Sequence, residues 1–137
     1  PAVNATSASG IPVSNLQANS FDDQRDLIIA QLRKLLNDPG INAKQIVVLI
    51  SSKYNTQLMK ELLAQSAVSK STNWTANHVR RENEILIETV KRFKGLESPI
   101  VVLWLDDQTE NETIIEEIYV GSSRAQSQLI MVSARKR

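Results

Sequence analysis

Two short runs of the chain carry the residue types best suited to nucleotide chemistry. Residues 88–97 read Glu-Thr-Val-Lys-Arg-Phe-Lys-Gly-Leu-Glu, and residues 119–125 read Tyr-Val-Gly-Ser-Ser-Arg-Ala. Gly95 allows a turn that a side chain would obstruct, which leaves the Glu97 carboxylate in a loop where it can accept hydrogen bonds. Arg124 follows a predicted helix, and an arginine there can bind a phosphate through two donors and stabilise the charge of phosphoryl transfer. Arg124 is therefore the predicted catalytic residue.

The first run also carries three basic side chains, Lys91, Arg92 and Lys94, close to the hydroxyl of Thr89. A basic loop with a hydroxyl suits contacts to a nucleic-acid backbone, which bind without reading the base sequence. The alternative is an ordinary solvated loop, as most charged runs are. Because the net charge is only +1, any nucleic-acid contact has to come from such a local cluster and not from a globally basic surface.

These residues need elements to position them, and the apolar pattern predicts alternating strands and helices. The predicted strands are 11–18, as an edge strand, then 46–50, 85–89, 99–105 and 128–132. The predicted helices are 22–37 with Ser20 as its cap, one around 58–63, and 112–123. Strands separated by helices or long crossovers predict an α/β fold whose mostly parallel sheet lies between helices, with ligands at the carboxyl edge.

Residues 66–82 are polar and aperiodic, so they are predicted to be the longest connection. Trp74 could stack on a nucleobase there, although a lone loop tryptophan more often packs onto its own domain. His78 is the one histidine of the chain, and without partners for a metal or general-base role it is predicted to be a surface residue. Glu88 and two nearby glutamates are predicted to be solvated charge near a strand start.

The run from Thr89 through Glu97, followed by Tyr119 through Ala125, resembles motifs V and VI of superfamily 1 DNA helicases of the UvrD/Rep type. In that family both motifs belong to the second, C-terminal RecA-like domain. Residues 45–50 and 129–132 are similar to core strands of the same domain. The resemblance extends over roughly residues 10 to 135, but motifs V and VI are its specific part.

The resemblance implies a three-layer RecA-like fold and a nucleotide site. By its motifs, Gly95 belongs to the nucleotide-binding turn, Glu97 contacts the sugar of ATP and Arg124 contacts its γ-phosphate. Thr89 matches a threonine near the DNA backbone and the nucleotide. Lys91 stands where the family usually has histidine, so the chain departs from the family pattern at this position.

By the same resemblance, Thr89, Lys91 and Arg92 form the side that binds single-stranded DNA, and RNA is not excluded. Binding of ATP with Mg²⁺ would take place in a cleft shared with an N-terminal RecA-like domain of the same parent chain. The parent would be an ATP-dependent helicase, whereas this fragment alone should be inactive. The alternative is a catalytically inactive helicase-like scaffold or interaction module.

No phosphate-binding loop of the form Gly-x-x-x-x-Gly-Lys-Ser/Thr occurs in the chain, whose four glycines at 10, 40, 95 and 121 are scattered. The phosphate loop and the magnesium ligands are thus expected from the N-terminal domain, and no metal site is predicted here. Residues 100–107 do imitate a magnesium-binding strand that ends in carboxylates. The preferred interpretation is a buried parallel strand that runs into a solvated acidic loop.

Size and composition suit one domain, since 137 residues with 42% hydrophobic content can bury a core. Residues 1–10 are predicted to be a flexible lead-in or linker and residues 11–137 the domain. The start at Pro1 suggests a piece of a longer protein. The chain has no cysteine, which excludes disulfides and thiolate sites. Because it also lacks a long apolar run and a signal-peptide pattern, no membrane association and a cytoplasmic location are expected.

Overall fold

The computed structural model describes residues 3–6, 11–93, 96–106 and 125–134, and the strands of these residues form one sheet. Its strands are β1 Val3–Thr6, β2 Pro12–Ala18, β3 Ile46–Ser51, β4 Asn73–Thr75, β5 Glu84–Thr89, β6 Ser98–Leu105 and β7 Ala125–Ala134. The helices are α1 Phe21–Leu36, α2 Thr56–Ala64 and α3 Val90–Phe93, with a short 3-10 helix at Ala43–Gln45.

The spatial order of the strands is β1-β2-β7-β6-β3-β5-β4. Neighbours from β2 to β4 pair in parallel, and β1 alone pairs antiparallel, with β2. The register aligns Ile50 of β3 with Thr89 of β5 and Trp104 of β6, so these three residues share one row at the carboxyl edge. The predicted mostly parallel sheet is confirmed.

Side chains along β3 alternate between two cores, one on each face of the sheet. Val48 and Ile50 join the core that includes the buried sides of α1 and α2, whereas Val47 and Leu49 join the core of α3. Every residue of β3 is buried, as its continuous β-branched run predicts for a strand covered on both faces. The domain therefore has three layers, with the sheet in the middle.

The α1 helix agrees with its predicted position to within one residue. Ser20 Oγ accepts a hydrogen bond from the Asp23 N–H at 3.0 Å, which satisfies a backbone donor of the first turn. The apolar stripe of the sequence becomes the buried face of the helix, where Ile28, Leu32 and Leu35 pack against the sheet.

A buried glutamine ties α1 to two strands near the carboxyl edge of the sheet. Gln24 Oε1 accepts from Trp104 Nε1 at 2.8 Å, and Gln24 Nε2 donates to the Ala18 carbonyl at 2.9 Å. Phe21 packs edge-on against the Trp104 ring, with centroids 6.1 Å apart. Since Gln24 and Trp104 are both buried, these bonds satisfy polar groups that would otherwise destabilise the fold.

Three short elements differ from the predictions. The sequence predicts a flexible lead-in over residues 1–10, but Val3–Thr6 forms β1, so that β2 is not an edge strand. Backbone hydrogen bonds can hold such a strand without an apolar pattern. No element is predicted at β4 or α3, because three or four residues are too few to show a period. The predicted helix at 112–123 lies outside the described residues, and the domain division at residue 10 stays a prediction.

Among the helices of the described residues, none has the length and apolar character needed to cross a membrane.

Candidate functional site

The first chemically distinctive run of the sequence lies at the carboxyl edge of β5. Thr89 ends this strand, and its Oγ1 accepts a hydrogen bond from the Arg92 backbone N–H at 3.3 Å across the start of α3. Val90 and Phe93 are buried against the sheet, whereas Lys91 and Arg92 are exposed. The short helix therefore directs its two basic side chains towards solvent, beside the threonine hydroxyl.

Glu88 is buried one residue before this edge, where the sequence predicts solvated charge. Only 2% of it is exposed, since alternation along β5 turns it to the same face of the sheet as Leu86 and α3. Its Oε2 lies 2.7 Å from His78 Nε2 and 3.7 Å from Arg92 Nε, and its Oε1 accepts from the Thr89 N–H at 2.8 Å. The prediction for Glu88 is wrong because these partners stabilise a carboxylate inside the protein.

Two opposing influences act on the ionisation of Glu88. Burial by itself raises the pKa of this carboxyl group. The hydrogen bonds from His78 and the Thr89 N–H, with the charge of Arg92, more than offset burial, so the pKa of Glu88 lies below its ordinary value. Glu88 is therefore a carboxylate at neutral pH.

His78 lies in the β4–β5 connection and is at the surface, as predicted. Its side chain is 36% exposed, but its bond to Glu88 gives the ring the partner that the sequence does not reveal. The signal that could have identified this pair is the glutamate itself. Glu88 directly follows three buried apolar residues of β5, Ile85, Leu86 and Ile87, and a charge at such a position requires a partner.

Glu97 lies at the opposite edge of the sheet. Because β5 and β6 are parallel, the chain has to return from the carboxyl edge to the amino edge between Thr89 and Ser98. Glu97 directly precedes β6 and is exposed, away from the carboxyl edge where ligands are expected. Ser98 is buried, and its hydroxyl donates to the Gln45 carbonyl at 2.8 Å, which holds the start of β6 beside β3.

The pairing of β6 with β7 relates the second run of the sequence, residues 119–125, to the first run, residues 88–97. Ser98 pairs with Ala125 across the two parallel strands, and these are the residues that follow Glu97 and Arg124 in the sequence. Arg124 itself and Gly95 lie outside the described residues.

A second polar cluster lies at the carboxyl edges of β3 and β6. Asp106 Oδ2 accepts from Ser52 Oγ and from Asn55 Nδ2, both at 2.8 Å, and Ser52 Oγ also accepts from the Asn55 N–H at 2.8 Å. Asp106 is buried, so the predicted solvated acidic loop is wrong at this residue. The predicted buried parallel strand before it is confirmed. Among the described residues, no group of three His, Cys, Asp or Glu could hold a metal ion.

Trp74 packs onto the domain, which confirms the preferred interpretation of this residue. Its ring is partly buried against the core of α1 and α2, and its Nε1 donates to the Ser66 carbonyl at 2.9 Å. Trp74 therefore secures the edge strand β4 to the end of α2.

No family model and no curated protein matches the chain. Among solved structures, the chain is similar to the C-terminal domain of a possible DNA helicase from Lactobacillus plantarum WCFS1, with a TM-score of 0.61 and 19% sequence identity. The match covers 89% of this chain and 72% of that one. At this identity the likeness shows a shared fold, and it confirms the predicted three-layer RecA-like α/β domain.

Proposed function

We propose that the chain is the second RecA-like domain of a cytoplasmic, ATP-dependent DNA helicase or translocase of the UvrD/Rep type. The resemblance of its two runs to motifs V and VI supports this, as does the shared fold with a helicase C-terminal domain. The observation that carries the proposal is the pairing of Ser98 with Ala125. Ser98 directly follows Glu97 and Ala125 directly follows Arg124 in the sequence, so this pairing supports a joint nucleotide site of Glu97 and Arg124.

In the proposed mechanism, ATP with Mg²⁺ binds in a cleft between this domain and an N-terminal domain of the parent protein. The N-terminal domain supplies the phosphate loop and the magnesium ligands. Glu97, which is exposed at the amino edge of the sheet and not at the carboxyl edge where Thr89 lies, accepts hydrogen bonds from the nucleotide sugar. Closure of the cleft brings Arg124 onto the γ-phosphate. Hydrolysis releases this contact and reopens the cleft.

The nucleic-acid side of the proposal is the carboxyl edge of β5. There Thr89, Lys91 and Arg92 would hold the backbone of single-stranded DNA without reading its sequence. The connection between Thr89 and Glu97 spans the sheet from one edge to the other. A conformational change in the cleft can therefore alter DNA binding through this one short segment of the chain. Alternating tight and weak binding moves the domains along the single-stranded DNA.

The first test is ATP hydrolysis by the full-length protein with and without single-stranded DNA, with this 137-residue chain alone as a control. We expect DNA-stimulated turnover by the full-length protein and none by the chain alone. Failure of the full-length protein to hydrolyse ATP would refute the motor and favour the inactive scaffold.

The Arg124→Ala variant of the full-length protein tests the catalytic assignment. Loss of an arginine that stabilises the transferring phosphoryl group should lower kcat by about 10³-fold or more, with a much smaller change in ATP affinity. A matched control is Lys34→Ala, which removes an exposed positive charge in the last turn of α1 and should leave turnover unchanged. Normal turnover by Arg124→Ala would show that the assignment is wrong.

A further inference from the structure

The pair formed by Glu88 and His78 has no role in the function proposed above, yet it adjoins the proposed DNA side. Glu88 precedes Thr89 in β5, and its carboxylate lies between His78 from the β4–β5 connection and Arg92 from α3. The Arg92 side chain is 71% exposed. A buried carboxylate thus holds the imidazole at the edge where the exposed basic side chains emerge.

The carboxylate determines which ring nitrogen of His78 carries hydrogen. An ionised carboxylate can only accept hydrogen bonds, so His78 Nε2, at 2.7 Å from Glu88 Oε2, has to be the donor. In the neutral ring the other nitrogen, Nδ1, is then an acceptor. It becomes a donor only when the ring is protonated.

This constraint matters because the oxygens of a phosphodiester also accept hydrogen bonds only. A neutral His78 held by Glu88 offers them an acceptor, whereas the imidazolium offers a charged donor. Of the charged groups around the ring in the described chain, Glu88 faces it from β5 and Arg92 lies beyond that carboxylate on α3. Arg80, on the connection that carries His78, is directed elsewhere, since its guanidinium donates twice to the Lys44 carbonyl.

We propose that His78 is a further phosphate-contacting residue for single-stranded DNA, because Glu88 binds its Nε2–H and leaves Nδ1 to donate to the backbone only when the ring is protonated. The proposal rests on the helicase function above and extends its DNA side from α3 to the β4–β5 connection. Glu88 is a positioning residue here, because it acts on DNA through His78 and Arg92.

The test is the affinity of the full-length protein for a fluorescent oligothymidylate, measured by anisotropy over a range of salt concentrations. The measurements are made at about pH 5.5 and about pH 7.5, on either side of the range in which histidines usually titrate. We expect about three- to tenfold tighter binding at the lower pH for the wild type. One added phosphate contact should steepen the slope of log affinity against log salt by about 0.7 for a single strand.

Three variants test which residues cause the pH dependence of the affinity and of the salt slope. His78→Asn keeps a polar group beside Glu88 but cannot titrate, so its affinity and salt slope should not respond to pH. Glu88→Gln can hydrogen-bond either tautomer of the neutral ring, so Nδ1 can donate to a phosphate without protonation and the pH response should weaken. The control is Lys70→Ala, an exposed residue before β4 at the amino edge of the sheet, which should keep the wild-type response.

Two results would overturn the inference. A His78→Asn variant with the full pH response and salt slope would show that the imidazole makes no phosphate contact, while DNA-stimulated hydrolysis would still support the motor. A wild-type protein that does not bind the oligonucleotide at either pH would remove both this inference and the proposed function.

Discussion

Glu88 occupies a position where alternation along β5 predicts an apolar side chain. An isolated carboxylate there would be costly, but the His78 ring, the Thr89 N–H and the Arg92 guanidinium supply partners of the opposite polarity. The balance of burial against these partners lowers the pKa of Glu88. The free energy of unfolding therefore depends on the protonation state of Glu88.

The sign of this coupling gives a prediction for acid unfolding. Because the folded-state pKa of Glu88 is below its unfolded value of about 4.3, the ionised group stabilises the fold above that pH. This stabilisation is lost as the pH falls through the folded-state pKa. We therefore expect the free-energy difference between the wild type and Glu88→Gln, measured by urea unfolding, to decrease from pH 7 towards about pH 3.

Glu61→Gln is the matched control for this experiment. Glu61 is an exposed residue of α2 whose carboxylate contacts Gln57 at 3.2 Å, so the substitution should change stability little at either pH. A difference between the wild type and Glu88→Gln that stays constant or grows on acidification would contradict the assigned direction.

At the scale of elements, the turn between β3 and α2 depends on a residue from another strand. Asp106 follows β6, and its carboxylate binds the Ser52 hydroxyl and the Asn55 amide. The Thr56 hydroxyl donates in turn to the Ser52 carbonyl at 2.9 Å, at the start of α2. The beginning of this helix is therefore held against the carboxyl edge of the sheet by side-chain hydrogen bonds.

Asp106→Ala should destabilise the fold by about 1.5–3 kcal/mol, because it removes a buried acceptor and leaves the Ser52 hydroxyl and the Asn55 amide without it. Urea unfolding measures this change. The control is Asp26→Ala, which removes an exposed carboxylate paired with Arg25 on α1 and should cost less than about 1 kcal/mol. Equal effects of the two substitutions would mean that the Asp106 bonds do not stabilise the turn.

The sequence predicts the long elements and misses these side-chain contacts for different physical reasons. The apolar period of α1 and the β-branched run of β3 depend on local order, which a single sequence shows directly. His78, which binds Glu88, and Ser52, which binds Asp106, lie 10 and 54 residues away from these carboxylates along the chain. Only the fold brings them together, so both carboxylates are predicted as solvated charge.

At the scale of the whole molecule, β3 is a central strand of the sheet. This strand is buried along its entire length and lies between β6 and β5, whereas β4 is a three-residue edge strand with one neighbour. Amides that are central in a sheet exchange with solvent only when the fold opens globally, while edge amides exchange through local fraying.

Hydrogen–deuterium exchange of the protein should therefore separate the two strands. For amides of residues 47–50 we expect a free energy of opening close to that of global unfolding. Amides of residues 73–75 should exchange faster by a factor of about 10² or more. The two segments serve as each other's internal reference. Similar rates in both would show that the sheet opens as a single unit and that the edge has no lower stability.

Strand order also has a consequence for synthesis. In the sheet β7 lies between β2 and β6, yet it follows both in the chain. Before β7 is synthesised, β2 and β6 each lack the neighbour that covers one edge, so the other strands cannot form a single sheet. Such edges bind other chains or chaperones readily. Synthesis of β7 is thus the step that allows a single cooperative sheet to form and covers the open edges of β2 and β6.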